Sequence, residues 1–118
     1  MKILIDMDEV LAGFYDHKLL RDGNWEIGKV PRDIMATEDF FFDLPITDGA
    51  IDFVAELIEL GHDVYICTKP QTSIPLSYSD KASWVNFHLP ELSNKIIMCQ
   101  NKNMIQADIL IDDDNKAG

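Results

Sequence analysis

The chain reads as a single α/β domain built on a mostly parallel sheet, and three observations carry that reading. Short apolar runs alternate with segments of helical character, the pattern of strands joined by crossover helices. Each apolar run ends in polar residues: Lys2-Ile3-Leu4-Ile5 delivers Asp6-Met7-Asp8, Val64-Tyr65-Ile66-Cys67 delivers Thr68-Lys69, and Ile109-Leu110-Ile111 delivers Asp112-Asp113-Asp114. Finally, 118 residues at 47% hydrophobic composition fit one domain with one modest core.

Taken in order, Lys2 to Ile5 is too short for a helix and apolar throughout, so it predicts a strand covered on both faces. Helix formers from Val10 to about Leu20 predict a helix, which the turn residues Arg21-Asp22-Gly23-Asn24 break. From about Trp25 to Phe42 the periodicity is weak and Pro31 interrupts it, which suits a small irregular or helical insert. Pro45, Asp48 and Gly49 lead into a second helix, with Ile51, Val54, Ala55 and Ile58 at i, i+3, i+4 and i+7 and Gly61 placed to end it.

Asp63 to Cys67 is β-branched and aromatic and reads as a strand. A polar loop then runs to Tyr78, and Ser79 or Asp80 caps a helix that presents Trp84, Val85 and His88 on one side and ends near Pro90. Ile96 to Cys99 and Ala107 to Ile111 are two further strands. Right-handed crossovers between such strands give a three-layer, Rossmann-like topology, in which ligands bind beyond the carboxyl ends of the strands. Asp6, Asp8, Thr68, Lys69 and Asp112 to Asp114 all fall at that edge.

Charge and composition exclude several classes of function. A net charge of −11 argues against a nucleic-acid polymer, whose binding rests on clustered Lys and Arg. No apolar run approaches the ~20 residues of a membrane span, and the amino terminus lacks a signal peptide's apolar stretch, so a cytoplasmic protein is expected. Cys67 and Cys99 lie in apolar runs and read as buried thiols. The carboxylates of Asp6, Asp8 and Asp112 to Asp114 flank two hydrophobic runs, a concentration that is unfavourable without a cation.

That edge suits phosphate transfer. A carboxylate can attack phosphorus to give an aspartyl-phosphate, and Asp6 is the candidate. A second acid must protonate the leaving alkoxide and then take a proton from water, a role that fits Asp8. Magnesium, which prefers a few oxygens from carboxylate, phosphate and water, would screen the meeting of two anions, held by Asp6, the Asp8 carbonyl and Asp112. Thr68 offers a hydroxyl and nearby N–H groups to phosphate. Lys81, in the first turn of its expected helix, opposes the macrodipole and makes more sense aimed at a phosphate. Each signal has a plainer reading: a turn for the aspartates, a cap for Thr68, an exposed charge for Lys81.

In combination these residues resemble a haloacid dehalogenase-superfamily phosphatase, and within it the chain is similar to the 5′(3′)-deoxyribonucleotidases. The resemblance rests on Asp6-Met7-Asp8-Glu9-Val10-Leu11-Ala12, on Phe40-Phe41-Phe42-Asp43-Leu44-Pro45 with Gly49-Ala50, and on Asp63-Val64-Tyr65-Ile66-Cys67-Thr68. Lys81 with Trp84-Val85, and Ala107-Asp108-Ile109-Leu110-Ile111-Asp112-Asp113, extend it over nearly the whole chain. It implies Asp6 as nucleophile and magnesium ligand, Asp8 as general acid/base ligating through its carbonyl, and Asp112 as a further ligand supported by Asp113. It implies phosphate contacts from Thr68 and Lys81 and Phe14 facing the nucleobase, while Lys69, counted with the phosphate-binding residues, departs from the family by standing where a small hydroxyl residue is common. The segment from about Ala12 to Leu44 corresponds to the helical cap of the family.

The implied substrate is a (deoxy)ribonucleoside monophosphate. Alternatives are another small phosphomonoester or a magnesium-dependent phospho-acceptor module without turnover. The partner is a small-molecule nucleotide, with no nucleic-acid polymer and no membrane, and a homodimer is the assembly to test. Glu9 stands where many superfamily members have glycine, and Gly13 where the nucleotidases often have an acid.

Overall fold

The computed structural model describes residues 1–21, 23, 25 and 28–112. Asp113 and Asp114 lie outside the described residues, and so does the role assigned to Asp113. Strand β1, Lys2–Asp6, is the centre of the molecule, because every residue from Ile3 onward is buried. Its parallel neighbours are β2, Asp63–Thr68, and β4, Ile109–Ile111, while β3, Ile96–Met98, pairs with the far side of β2. The order β3-β2-β1-β4 is parallel throughout, so all four carboxyl ends meet at one edge. The expected α/β, Rossmann-like architecture is borne out.

Alternation along the strands sorts the core. Ile3 and Ile5 of β1 join Val64 and Ile66 of β2 in one apolar cluster, to which α2 (Ala50–Glu59) adds Val54 and α3 (Leu76–His88) adds Trp84 and Val85. Burying side chains of this size stabilises by about 1.5–3 kcal/mol each before chain entropy is counted. Leu4 and Cys67, also buried, belong to the opposite face by the period of two. Among the described residues no helix is long and apolar enough to cross a membrane.

Several expected elements shift. Val10 to Leu20 forms turns and a 3-10 turn at Phe14–Asp16 rather than a helix. The cause is tertiary: the Met7 carbonyl accepts from both Leu11 N–H and Ala12 N–H, and Gly13 N–H is taken by the Pro45 carbonyl, which pins this stretch across the sheet edge. In α2 the buried stripe is Ala50 and Val54 with Leu57, whereas Ile51 and Ile58 are exposed. Gly61, at φ +90°, does end α2. His62 N–H bonds the Leu57 carbonyl and Gly61 N–H the Ile58 carbonyl, the paired bonds of a Schellman cap.

The helix α3 starts at Leu76, several residues before Ser79 and Asp80, with Pro75 at its N-cap. Proline suits a helix start, where its missing N–H costs nothing. Ser77, facing back from the first turn, exchanges hydrogen bonds of 3.0 Å with the N–H and carbonyl of Gln71 and so fixes the preceding loop. Strands β3 and β4 are shorter than expected, and Cys99 falls just past β3, partly exposed rather than buried.

Between β1 and α2 the chain forms an insert in which, among the described residues, the one α-helix is α1, Arg32–Met35. His17 is buried there, stacked on Phe40 at 4.2 Å, and its Nδ1 accepts from Leu19 N–H at 3.0 Å. Burial lowers the pKa of His17 below the ordinary 6.5 against the opposing pull of the Phe40 backbone and Asp43, and burial likewise lowers His88. Below about pH 6.5 the unfolded chain takes up these protons before the native chain does, so stability falls as pH drops through and below that value. Asp80, raised by burial and by Asp39 and Asp43, works in the opposite sense. Thermal midpoints measured between about pH 8 and pH 5 should therefore fall, and His17→Leu should flatten the decline.

Candidate active site

Two aspartates and two lysines meet at the carboxyl edge of the sheet. Asp6 closes β1 and is 9% exposed; its register partner in β2 is Cys67, and the next residue, Thr68, is buried. Ser77, Lys81, Trp84 and Val85 form the buried face of α3, spaced at i, i+4, i+7 and i+8, so the packing of Trp84 and Val85 carries Lys81 inward. The Lys81 ammonium donates to Thr68 Oγ1 at 2.8 Å, Asp8 Oδ2 at 3.0 Å and the Lys69 carbonyl at 3.4 Å. Three donors thus meet three acceptors, which an ammonium at 1% exposure requires.

Lys81 lies in the second turn of α3, not the first, because the helix begins earlier. Opposition to the macrodipole fades within the first turn and does not account for its placement. The acceptors around its Nζ do.

Asp6 has its own cation, which the sequence reading missed. Lys102, in a 3-10 turn at Lys102–Met104 after β3, places Nζ 3.0 Å from Asp6 Oδ2. Burial alone would lower the Lys102 pKa, but the hydrogen bond to Asp6 and the charges of Asp6 and Asp112 raise it overall. The available signal was topological: Gln100-Asn101-Lys102-Asn103 is a polar stretch following a strand at the ligand-binding edge. Asn101 shapes that stretch by accepting from Asn103 N–H at 3.1 Å.

The loop that presents Asp8 is tight. Glu9 adopts φ +65°, a left-handed conformation costing a non-glycine residue roughly 1–2 kcal/mol. That explains why glycine suits this position, and what holds glutamate there is local: its Oε1 accepts from Tyr15 N–H at 3.1 Å. Asp8 turns Oδ2 to Lys81, while its Oδ1 is buried with no hydrogen-bond partner among the described residues.

A cavity of about 440 Å³ opens at this edge, lined by Asp6, Asp8 and Lys69 but not by Thr68, Lys81 or Asp112. Asp6, Asp8 and Lys102 line its floor, Phe14 and Tyr15 one wall, Val30 and Met35 of the insert another, and Lys69 and Gln71 the loop after β2. Phe14 stands edge-on to Phe40 at 5.6 Å. Phe40 and Phe41 themselves are core, and Trp25 bonds the Leu20 carbonyl at 2.9 Å. Arg32 joins the insert to the far loop, its Nη2 donating to the Ser73 carbonyl at 2.6 Å and its Nε to Ser73 Oγ at 3.3 Å. Both partners are exposed, so Arg32→Ala should cost under about 1 kcal/mol of stability yet raise KM several-fold by loosening the cavity wall.

Asp6, the Asp8 carbonyl and Asp112 offer hard oxygen donors at this edge, and the orphaned Asp8 Oδ1 is a further acceptor. Among the described residues no three His, Cys, Asp or Glu side chains form a closed metal cage. Magnesium does not need one, since it binds through one or two carboxylates with waters and substrate phosphate filling the remainder. Cys67 and Cys99 are free thiols with their sulfurs 3.8 Å apart. Burial, and after it the hydrogen bond to Cys99, push the Cys67 thiol well up, so it is protonated at neutral pH.

The first strand of this parallel sheet leads into two carboxylates, each paired with a lysine. Comparison with known proteins gives the family. Residues 33–117 match the family described as 5′ nucleotidase, deoxy (Pyrimidine), cytosolic type C protein. The chain is 32% identical over 132 residues to the 5′(3′)-deoxyribonucleotidase of Bacillus subtilis, covering 94% of this chain and 74% of that one. It is 31% identical to the human cytosolic-type 5′(3′)-deoxyribonucleotidase, covering 96% and 70% of the two chains. To the mitochondrial enzyme of Mus musculus it is 30% identical, spanning 96% of this chain and 64% of the mouse protein. The chain belongs to this 5′-nucleotidase family of the haloacid dehalogenase superfamily.

Proposed function

We propose that the protein is a hydrolase of phosphoric monoesters that removes phosphate from a deoxyribonucleoside or ribonucleoside monophosphate, with magnesium as cofactor and Asp6 as the phosphorylated group. The observation that carries this reading is the division of partners at the carboxyl edge of the sheet. Asp6 pairs with Lys102, whereas Asp8 and Thr68 share Lys81. Two carboxylates one residue apart are thereby held for different work.

In this reading Asp6 Oδ attacks phosphorus, the bond to the leaving oxygen breaks, and Asp8 delivers the proton that the departing alkoxide takes up. Asp8 then removes a proton from water, whose oxygen attacks the aspartyl-phosphate and releases inorganic phosphate with Asp6 restored. Charge on the phosphoryl oxygens is stabilised by Lys102 and Lys69, which line the cavity, and by the Lys81 ammonium, held with Thr68 Oγ1 against Asp8. Magnesium, bound through Asp6, the Asp8 carbonyl and Asp112, would supply charge screening between the two anions. Residues from about 12 to 44 serve as the cap, and Phe14 with Tyr15 offers an aromatic wall to the base. Stacking on such a wall is worth about 1–3 kcal/mol per base in nucleic-acid binding.

The relatives' own names point the same way, since each is called a 5′(3′)-deoxyribonucleotidase. A panel of 5′- and 3′-nucleoside monophosphates, assayed for phosphate release with magnesium and with a chelator, tests the proposal. Release from nucleotides that the chelator abolishes is the expected result. Release from sugar phosphates but not nucleotides would move the protein to another substrate, and no release at all would sink the hydrolase reading.

A further inference from the structure

We propose that Cys67 and Cys99 form an oxidation site: a reversible disulfide that links β2 to the exit of β3 and disables the phosphate-binding edge. The two thiols are free, lie on adjacent strands and bring their sulfurs to 3.8 Å. Cys67 faces Ile97 in the ladder, and Cys99, two residues on, shares its side of the sheet. Beyond β3, Cys99 N–H still bonds the Thr68 carbonyl at 3.0 Å, so the two cysteines are held as a diagonal pair. Cys67 is fully buried, but Cys99 is partly exposed and admits an oxidant.

The chemistry balances with a peroxide as oxidant. The Cys99 sulfur attacks one peroxide oxygen, the O–O bond breaks, water leaves, and Cys99 becomes a sulfenic acid. The Cys67 sulfur, 3.8 Å away, then attacks the Cys99 sulfur while its thiol proton passes to the departing hydroxyl, which leaves as a second water. Two thiols lose two electrons and two protons, and the peroxide is reduced to two waters. A dithiol reverses the bond by exchange.

Closure must disturb the site because of where these cysteines sit. Cys99 lies two residues past Ile97, the residue that faces Cys67, so the pair is offset along the strands rather than directly opposed. The sulfurs must also come from 3.8 Å to about 2.05 Å. Cys99 is the freer partner, standing past the end of β3, and pulling it toward β2 drags the segment that carries Lys102. Cys67 lies between Ile66 and Thr68 and opposite Asp6, so the same bond strains both sides of the phosphate edge. A shift near an ångström costs on the order of 100-fold in rate.

The link to turnover rests on the phosphomonoesterase reading, but formation of the bridge does not, and the test separates them. The purified protein is treated with hydrogen peroxide, and intact mass, free thiols and phosphate release are followed before and after a dithiol. The bridge predicts a loss of about two mass units and of both free thiols, recovered by the dithiol. Phosphate release should fall by at least about ten-fold and recover in parallel. Cys99→Ser, at a partly exposed position, should keep the activity of the reduced protein and resist peroxide, and Cys67→Ala should fail to form the bridge. Gain of oxygen atoms on Cys99 without loss of the second thiol would overturn the oxidation site. A bridge that forms while phosphate release is unchanged would overturn its control of the site.

Discussion

Asp6→Asn is expected to lower turnover by at least about 1000-fold while leaving the fold intact. The substitution keeps the shape of a side chain that ends the central strand and is 9% exposed, and it removes one negative oxygen. Asparagine can still accept from Lys102 but cannot displace an alkoxide from phosphorus. Lys102, whose pKa is held up overall by the hydrogen bond to Asp6 and by the charges of Asp6 and Asp112 despite burial, should titrate at lower pH in the variant. Steady-state kinetics with circular dichroism as the control for folding checks this. A well-folded variant with turnover within ten-fold of the parent would reduce Asp6 to a structural ion-pair partner.

The second large effect is an asymmetry at Asp8 and Lys81. Both substitutions break the same 3.0 Å ion pair, but the two ends of it are not equally wet: Lys81 is 1% exposed and Asp8 32%. Asp8→Asn leaves a buried ammonium with its counter-charge gone, which costs about 3–5 kcal/mol of stability. Lys81→Met leaves Asp8 a path to water and fills the space with an unbranched apolar chain, so the cost is nearer 1–2 kcal/mol. The double substitution should recover part of the loss seen in Asp8→Asn. Each single variant should lower turnover by about 100-fold or more, since one loses the proton carrier and the other a phosphate donor. Urea unfolding of all four proteins reads the asymmetry; equal losses from the two single variants would mean that the ammonium is solvated in solution.

What the sequence made legible was the edge of the sheet. An apolar run too short for a helix and ending in Asp6-Met7-Asp8 could only be a strand delivering carboxylates to a loop, and Thr68 and Asp112 followed by the same logic. Gly61 was legible because only a residue at ease with positive φ ends a helix in that way.

The losses came from contacts that no local pattern encodes. Val10 to Leu20 has helical composition, but hydrogen bonds to Met7 and Pro45 outweigh propensities of a few tenths of a kcal/mol per residue. In α2 the apparent stripe of Ile51, Val54, Ala55 and Ile58 is rotated from the true one, because Ala50 and Leu57 meet the sheet and a helix rich in apolar residues offers more than one plausible face. The start of α3 falls before the Ser79 or Asp80 cap because Pro75, within a stretch of loop composition, opens the helix. Lys102 was missed for a different reason: its partner Asp6 is distant in sequence, and only the parallel pairing of the strands brings the two together.

The central claim is that phosphate passes through the Asp6 carboxylate. Rapid acid quenching during turnover of a deoxyribonucleoside monophosphate, followed by peptide mass mapping, tests it most directly. The account predicts an acid-stable, hydroxylamine-labile phosphoryl group on the peptide containing Asp6, absent in Asp6→Asn. Full turnover with no phosphoryl group on that peptide, or with one on another residue, would contradict it.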